Sequence, residues 1–245
     1  MTPPQSSPAT AAIAPPVPPQ AAPDPAPTVV VQRLLRDDLR DGSLSIQEFM
    51  NREVLPLATI QAALFEFLQN RSDFVIFGAQ AVNAYGGEPR MTQNIDLLST
   101  RAQQLAEEIQ DYLREQFYIA VRIREVKDNL GYRVYQVQKA GNRHLVDIRQ
   151  VDRLPNCQVL EGLPVIAPVE LIVSKVVAYD QRRGKPKAGT DWRDLAVLLL
   201  RFPELKVRSG VVEQQLLAQG AREGAMALWQ ELVAMALEPE DEEDF

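Results

Sequence analysis

The sequence predicts an α+β fold: a small mixed β-sheet flanked by helices, followed by a helical carboxy-terminal subdomain. Three observations predict it. The centre of the chain alternates short apolar runs with segments of helical spacing. Further on, YIAVRIREV and YRVYQVQ alternate with period two around KDNLG, as the arms of an antiparallel hairpin do. Beyond Pro168 the apolar residues return at helical spacing.

The elements follow in order. Residues 1–28 hold ten of the eighteen prolines and almost nothing to bury, and read as a disordered, Pro-rich tail. A solvated leader and a docking strip for a proline-binding partner both fit that composition. Residues 29–70 read as amino-terminal helices. Val31, Leu34, Leu35 and Leu39 recur at helical spacing, and Ser45 with Glu48 forms a capping box. A third helix begins near Pro56 with Ile60, Leu64 and Leu68 on one stripe. Residues 71–167 form the core. DFVIF is a buried strand, a helix runs through Ala79–Tyr85, and NIDLLS is a second strand. RAQQLAEEIQDYLREQF is an amphipathic helix; the hairpin and the strand RHLVDIRQ follow. Residues 168–237 are the helical subdomain, with PVELIVSKVVAYDQRR, TDWRDLAVLLLRF and two more helices, and 238–245 are an acidic tail.

The net charge of −7 over 245 residues is concentrated in that tail. EPEDEEDF alone carries six acids, which leaves the rest of the chain at −1. No broad basic face is present, so no duplex DNA partner is expected. A 46% apolar composition suffices for a real core. The single cysteine, Cys157, excludes an internal disulfide and reads as packing or surface filler. No apolar run approaches the roughly 18 residues of a membrane helix, and no Lys or Arg precedes Arg33. The expectation is a cytoplasmic protein with no membrane partner.

Chemistry concentrates in FVIFGAQAVNAYGGEPRMTQNIDLLST, residues 74–100. Asn94 and Asp96, at i and i+2, share one face of their strand. Asp147 interrupts an apolar strand pattern, with Val146 and Ile148 directed to the other face. A carboxylate at the centre of a buried strand calls for a positive partner. Gly78, where the first strand ends, permits a phosphate to approach the amides of the following helix.

These residues resemble the core signature of the nucleotidyltransferase-fold superfamily, in its minimal, AbiEii-type toxin branch. Members show a strand–Gly–helix unit, an Arg-x-Thr-x-Asp-x-Asp strand and a third Asp on a later strand. Gly78, Arg90, Thr92, Asp96 and Asp147 match, and PVELIVSKVVAYDQRR with DWRDLAVLL is similar to the family's lysine-bearing and Asp-x-x-Asp helices. The resemblance covers about Phe74 to Leu200. It implies magnesium held at the Asn94, Asp96 and Asp147 positions, with Asp96 and Asp147 catalytic. It further implies a nucleoside triphosphate contacted by Gly78, Ala79, Arg90, Thr92 and Lys175, an RNA or protein acceptor, and an antitoxin-like partner.

Two positions depart from the pattern. Ala79 stands where many members have Gly or Ser, and Asn94 stands where the first aspartate is expected. An amide oxygen is a neutral, weaker ligand for hard cations than a carboxylate. Losing that charge at a two-metal site costs of order a hundredfold or more in rate. Three functions stay open at this point: a magnesium-dependent nucleotidyltransferase weakened by Asn94, a catalytically inactive nucleotide- or partner-binding module of the same fold, or a structural interaction protein whose tails recruit partners. Plainer roles also fit the individual residues. Asp96 could pair with Arg90, and Asp147 with Arg143 or Arg149. Lys175 could snorkel to solvent. Asp191 and Asp194 could be first-turn charges of a helix capped by Thr190. His144 reads as an ordinary strand residue, and Trp192 and Trp229 as core packing.

Overall fold

The computed structural model describes residues 55–86, 90–126, 130–139 and 141–239. The expected tail 1–28, the first two helices and most of the acidic tail lie outside them. Helix α1 (Leu57–Leu68) starts behind Pro56 and buries Ile60, Leu64 and Leu68 completely. Strand β1 (Phe74–Phe77) leads directly into α2 (Gly78–Tyr85). Then come β2 (Ile95–Ser99), α3 (Ala102–Phe117), β3 (Val121–Val126), β4 (Gly131–Gln136) and β5 (Arg143–Gln150). A hairpin of β6 (Cys157–Leu160) and β7 (Leu163–Ile166) precedes α4 (Pro168–Arg182), α5 (Lys187–Arg201), α6 (Val211–Ala218) and α7 (Glu223–Ala234).

The seven strands form one mixed sheet in the order β3–β4–β5–β2–β1–β7–β6. The pairs β2/β5 and β1/β7 are parallel, and the remaining pairs are antiparallel. The period-two pattern divides the residues between faces. Ile95, Leu97, Val134, Val146 and Ile148 are buried on one face, where α3 lies across β2 to β5. Helix α1 packs on α3: Phe67 stacks on Tyr112 at 4.4 Å, and the Tyr112 hydroxyl donates to the Ala63 carbonyl at 3.1 Å. The opposite face carries Asp96 and Asp147. Helix α2 packs against β1, β2 and β7 and also touches α4 and α5. The carboxy-terminal helices gather around α4, with Trp229 of α7 fully buried.

The β6–β7 hairpin is an element the sequence reading did not draw. Its turn is Glu161-Gly162, with φ of 50° and 80°, a two-residue hairpin turn with both central residues in the left-handed region. VLEGLPVI is therefore two strands, the second of which pairs with β1. Helix α5 also begins earlier than expected. It starts at Lys187 behind Pro186, so Thr190 is inside the helix and does not cap it.

Candidate active site

The parallel register sets Asp96 of β2 directly beside Asp147 of β5. Asn94, just ahead of β2, joins them: its Nδ2 donates to Asp96 Oδ1 at 3.1 Å and to Asp147 Oδ2 at 3.3 Å. With a carboxylate oxygen on either side, the amide presents its NH2 group, because its oxygen there would repel both. The row continues across the sheet in both directions. On β4, Arg133 stands opposite Asp147 and grips it with both arms of its fork, Nε to Oδ1 at 2.6 Å and Nη2 to Oδ2 at 3.2 Å. On β1, Phe77 stands opposite Asp96, and the guanidinium of Arg149 lies 4.7 Å from the centre of its ring.

Gly78 closes this row against α2. Its φ is +71°, and a β-carbon there would lie 2.4 Å from Asp96 Oδ2. Glycine alone meets both conditions. Burial pushes the Asp96 carboxyl above the usual aspartate range and the neighbouring Asp147 charge adds to this, while Arg149, the Asn94 hydrogen bond and Lys175 oppose it.

A second cluster lies beside the first and is built around Asp194 of α5, which is fully buried. Arg90 clasps it, Nε to Oδ1 at 2.8 Å and Nη2 to Oδ2 at 3.0 Å, and Lys175 of α4 reaches Oδ2 at 2.5 Å. Burial pushes the Asp194 carboxyl up, but its bonds to Arg90 and Lys175 prevail and hold it below the usual range. Asn83 braces Arg90 from α2, donating to its carbonyl at 2.8 Å and accepting from its amide at 3.0 Å. Thr92 is buried, with its hydroxyl accepting from Gln80 Nε2 at 2.6 Å. Asp191, also buried, pairs with Arg182 at 2.7 Å.

The structure thus brings Asn94, Asp96 and Asp147 together and sets Gly78 against them, with Ala79 next along in the first turn of α2. Several of the plainer pairings differ. Asp96 does not pair with Arg90, which is held by Asp194. Asp147 pairs with Arg133, whereas Arg143 donates to the Leu55 carbonyl at 3.0 Å and Arg149 stacks on Phe77. Lys175 does not snorkel; only 7% of it is exposed, and its ammonium is spent on a buried carboxylate. Asp191 and Asp194 are buried ion-pair members where first-turn surface charges were expected. Cys157 is a surface residue and His144 an exposed strand residue, as read.

Arg133, Gln80 and Asn83 were missed by the sequence reading. For Arg133 a signal existed: it lies between Tyr132 and Val134 in an alternating strand, and hairpin pairing carries it to the face of Asp147. Elsewhere, a cleft of about 320 Å³ lies between the β5–β6 connection, α4 and α6. It shares no lining residue with either cluster, and its Asn156 and Glu170 already bond each other at 2.6 Å.

A mixed sheet presenting adjacent carboxylates beside a glycine-led helix defines a nucleotidyltransferase fold. The chain resembles the crystal structure of the Megavirus polyadenylate synthase with a TM-score of 0.54 at 12% identity, covering 78% of this chain and 41% of that one. It therefore spans less than half the length of that protein. JHP933 from Helicobacter pylori is matched at 16% identity over 78% of this chain and 94% of that one, with a TM-score of 0.46. Residues 62–244 match the family model described as the nucleotidyl transferase AbiEii toxin of type IV toxin–antitoxin systems. The chain belongs to this family. No curated protein matches it.

Proposed function

We propose that this protein transfers a nucleotidyl group from a nucleoside triphosphate to an acceptor hydroxyl. In that reaction the acceptor oxygen bonds to the α-phosphorus. The bond to the bridging oxygen breaks, pyrophosphate leaves with the electron pair, and the hydroxyl proton passes to water. The observation that carries the reading is the side-by-side placement of Asp96 and Asp147, with Asp96 against Gly78.

The residues present fit a divalent cation such as magnesium. Two carboxylates stand in one register, and burial first, with the neighbouring Asp147 charge second, pushes the Asp96 carboxyl up. They do not supply a third carboxylate, and among the described residues no three His, Cys, Asp or Glu side chains converge on a metal position. The fit is to one ion held by Asp96 and Asp147, with Asn94 able to add a neutral oxygen if its amide turns. When bound, such an ion supplies positive charge to the triphosphate and favours ionisation of the attacking hydroxyl. The chain's own residues do the positioning. The amides of Gly78 and Ala79, in the first turn of α2, are the candidate phosphate contacts. Arg90 and Lys175 together exceed the charge of Asp194 by one, which leaves net positive charge beside Asp96 for the triphosphate. Thr92, tied to Gln80, fixes the approach to β2.

One feature favours the second reading, a nucleotide- or partner-binding module without catalysis: a neutral amide, Asn94, bridges the two aspartates where the family resemblance expects a third carboxylate. The family's toxin–antitoxin setting supports an antitoxin-like protein partner under either reading, and an RNA or protein acceptor belongs to the first reading alone.

Titration of wild type, Asn94→Asp and Asp96→Asn with nucleoside triphosphates, with and without magnesium, tests the proposal when paired with release of radiolabelled pyrophosphate. Wild type is expected to bind with magnesium, Asn94→Asp to bind tighter and turn over faster, and Asp96→Asn to lose both. Binding without pyrophosphate release in the first two proteins would select the non-catalytic module. Failure of all three to bind would overturn the transferase and nucleotide-binding readings and leave a protein that acts through partners alone.

A further inference from the structure

Three of the four carboxylate oxygens in the Asp96–Asp147 pair already receive N–H groups from this chain. Asp147 Oδ1 takes Arg133 Nε at 2.6 Å; Asp147 Oδ2 takes Arg133 Nη2 at 3.2 Å and Asn94 Nδ2 at 3.3 Å; Asp96 Oδ1 takes the same Nδ2 at 3.1 Å. The fourth, Asp96 Oδ2, faces Gly78. The NH2 of Asn94 lies between the two carboxylates, and the guanidinium closes the far side of Asp147.

We propose that Arg133, assisted by the Asn94 amide, is a built-in counter-cation of the carboxylate pair and sets how tightly the site takes a divalent cation. The inference rests on the reading of Asp96 and Asp147 as cation ligands and adds a residue that this reading does not require. Cross-strand register explains why Arg133 commits to Asp147. On its other side it stands opposite Arg124 of β3, a like charge directly across the ladder. Repulsion from Arg124 and attraction to Asp147 drive the fork the same way.

A divalent ion that binds both aspartates competes with two groups of this chain. Full access to the pair calls for Arg133 to release Asp147 and for the Asn94 amide to turn its NH2 away. Release is feasible in the folded sheet, because the Arg133 side chain is 34% exposed. Both changes oppose binding, since the released guanidinium loses a bidentate partner and remains beside Arg124. Arg133 is thus a positioning residue that discriminates between the cation-loaded and the self-neutralised site.

The test uses the full chain as wild type, Arg133→Gln and Arg133→Lys, titrated with MnCl2. The readouts are the electron paramagnetic resonance signal of free Mn2+ and the shift in unfolding temperature, neither of which depends on turnover. Arg133→Gln is expected to lower the half-saturating Mn2+ concentration by about tenfold or more. Arg133→Lys keeps the charge and loses the fork, and should fall between. Adding Asp147→Asn to Arg133→Gln must abolish the gain, which ties the ion to this pair. Should Arg133→Gln fail to fold, Arg133→Lys still has to bind tighter than wild type. If wild type binds Mn2+ as tightly as the variants, the counter-cation role is overturned while the transferase reading stands. If Asn94→Asp combined with Arg133→Gln also holds no Mn2+, both fall together.

Discussion

Gly78 lies so close against Asp96 that no side chain fits between them: a β-carbon on Gly78 would lie 2.4 Å from Asp96 Oδ2. Gly78→Ala therefore combines left-handed backbone strain, about 1 kcal/mol for an alanine, with displacement of a carboxylate. Gly220 is the internal control, with φ +63° and open space where its β-carbon would be. Gly220→Ala should cost about 1 kcal/mol in urea unfolding and leave triphosphate binding intact. Gly78→Ala should cost more and abolish binding. Equal costs with equal binding would show that Asp96 yields freely.

Asp194 holds two cations from separate parts of the fold. Asp194→Asn leaves Lys175 buried with no charged partner in the cluster but Arg90, which repels it. A loss of about 3–5 kcal/mol is expected, typical of breaking a buried pair from one side. The double change Asp194→Leu with Lys175→Met should recover part of that stability, which denaturant midpoints at constant slope would read. No recovery would mean that the charges are not what the cluster contributes.

The two aspartates should respond to pH with opposite signs. The Asp194 carboxyl is held below its ordinary value, about 4, so its contribution is present above that pH and is lost as pH falls through the folded value. The Asp96 carboxyl is pushed up, so the folded state binds its proton more tightly than the unfolded chain does. Stability from this group is full below about pH 4 and declines as pH rises through the folded value. Relative to wild type, Asp96→Asn should gain stability between pH 4 and neutrality, whereas Asp194→Asn should be least harmful at the acid end. Parallel pH profiles for the two variants would contradict this.

The β6–β7 turn offers a check remote from the carboxylates. Gly162 has φ +80°, and a β-carbon there would lie 3.3 Å from Asn70 Oδ1. Gly162→Ala should destabilise by about 1 kcal/mol while Mn2+ and triphosphate titrations stay at wild-type values. A change in those titrations would mean that β7 transmits strain through β1 to Asp96.

Local patterns made most of the sheet legible. Period two found β3, β4 and β5, the i, i+2 spacing placed Asn94 with Asp96, and the broken apolar run marked Asp147. What stayed hidden depends on pairing. LPVI is too short and too apolar to declare whether it is a strand or the lead-in to α4, and only its parallel seat beside β1 decides. The Asp147–Arg133 pair follows from the β4/β5 register, which a bulge at Val134/Tyr135 shifts part-way along. Asp191 and Asp194 carry a perfectly good first-turn signature. Pro186 starts the helix earlier, so neither lies in its first turn, and both sit on its buried face.

Arg90 and Asp194 are separated by 104 positions, which has a consequence during synthesis. At typical elongation rates a ribosome needs roughly 5 to 20 s to add the residues between them. Both sheet carboxylates have been made well before Asp194. A nascent chain halted between Lys175 and Asp194 has Asp96 and Asp147 already translated while Arg90 and Lys175 still lack their anchor. The finished arrangement becomes available only once translation has passed α5.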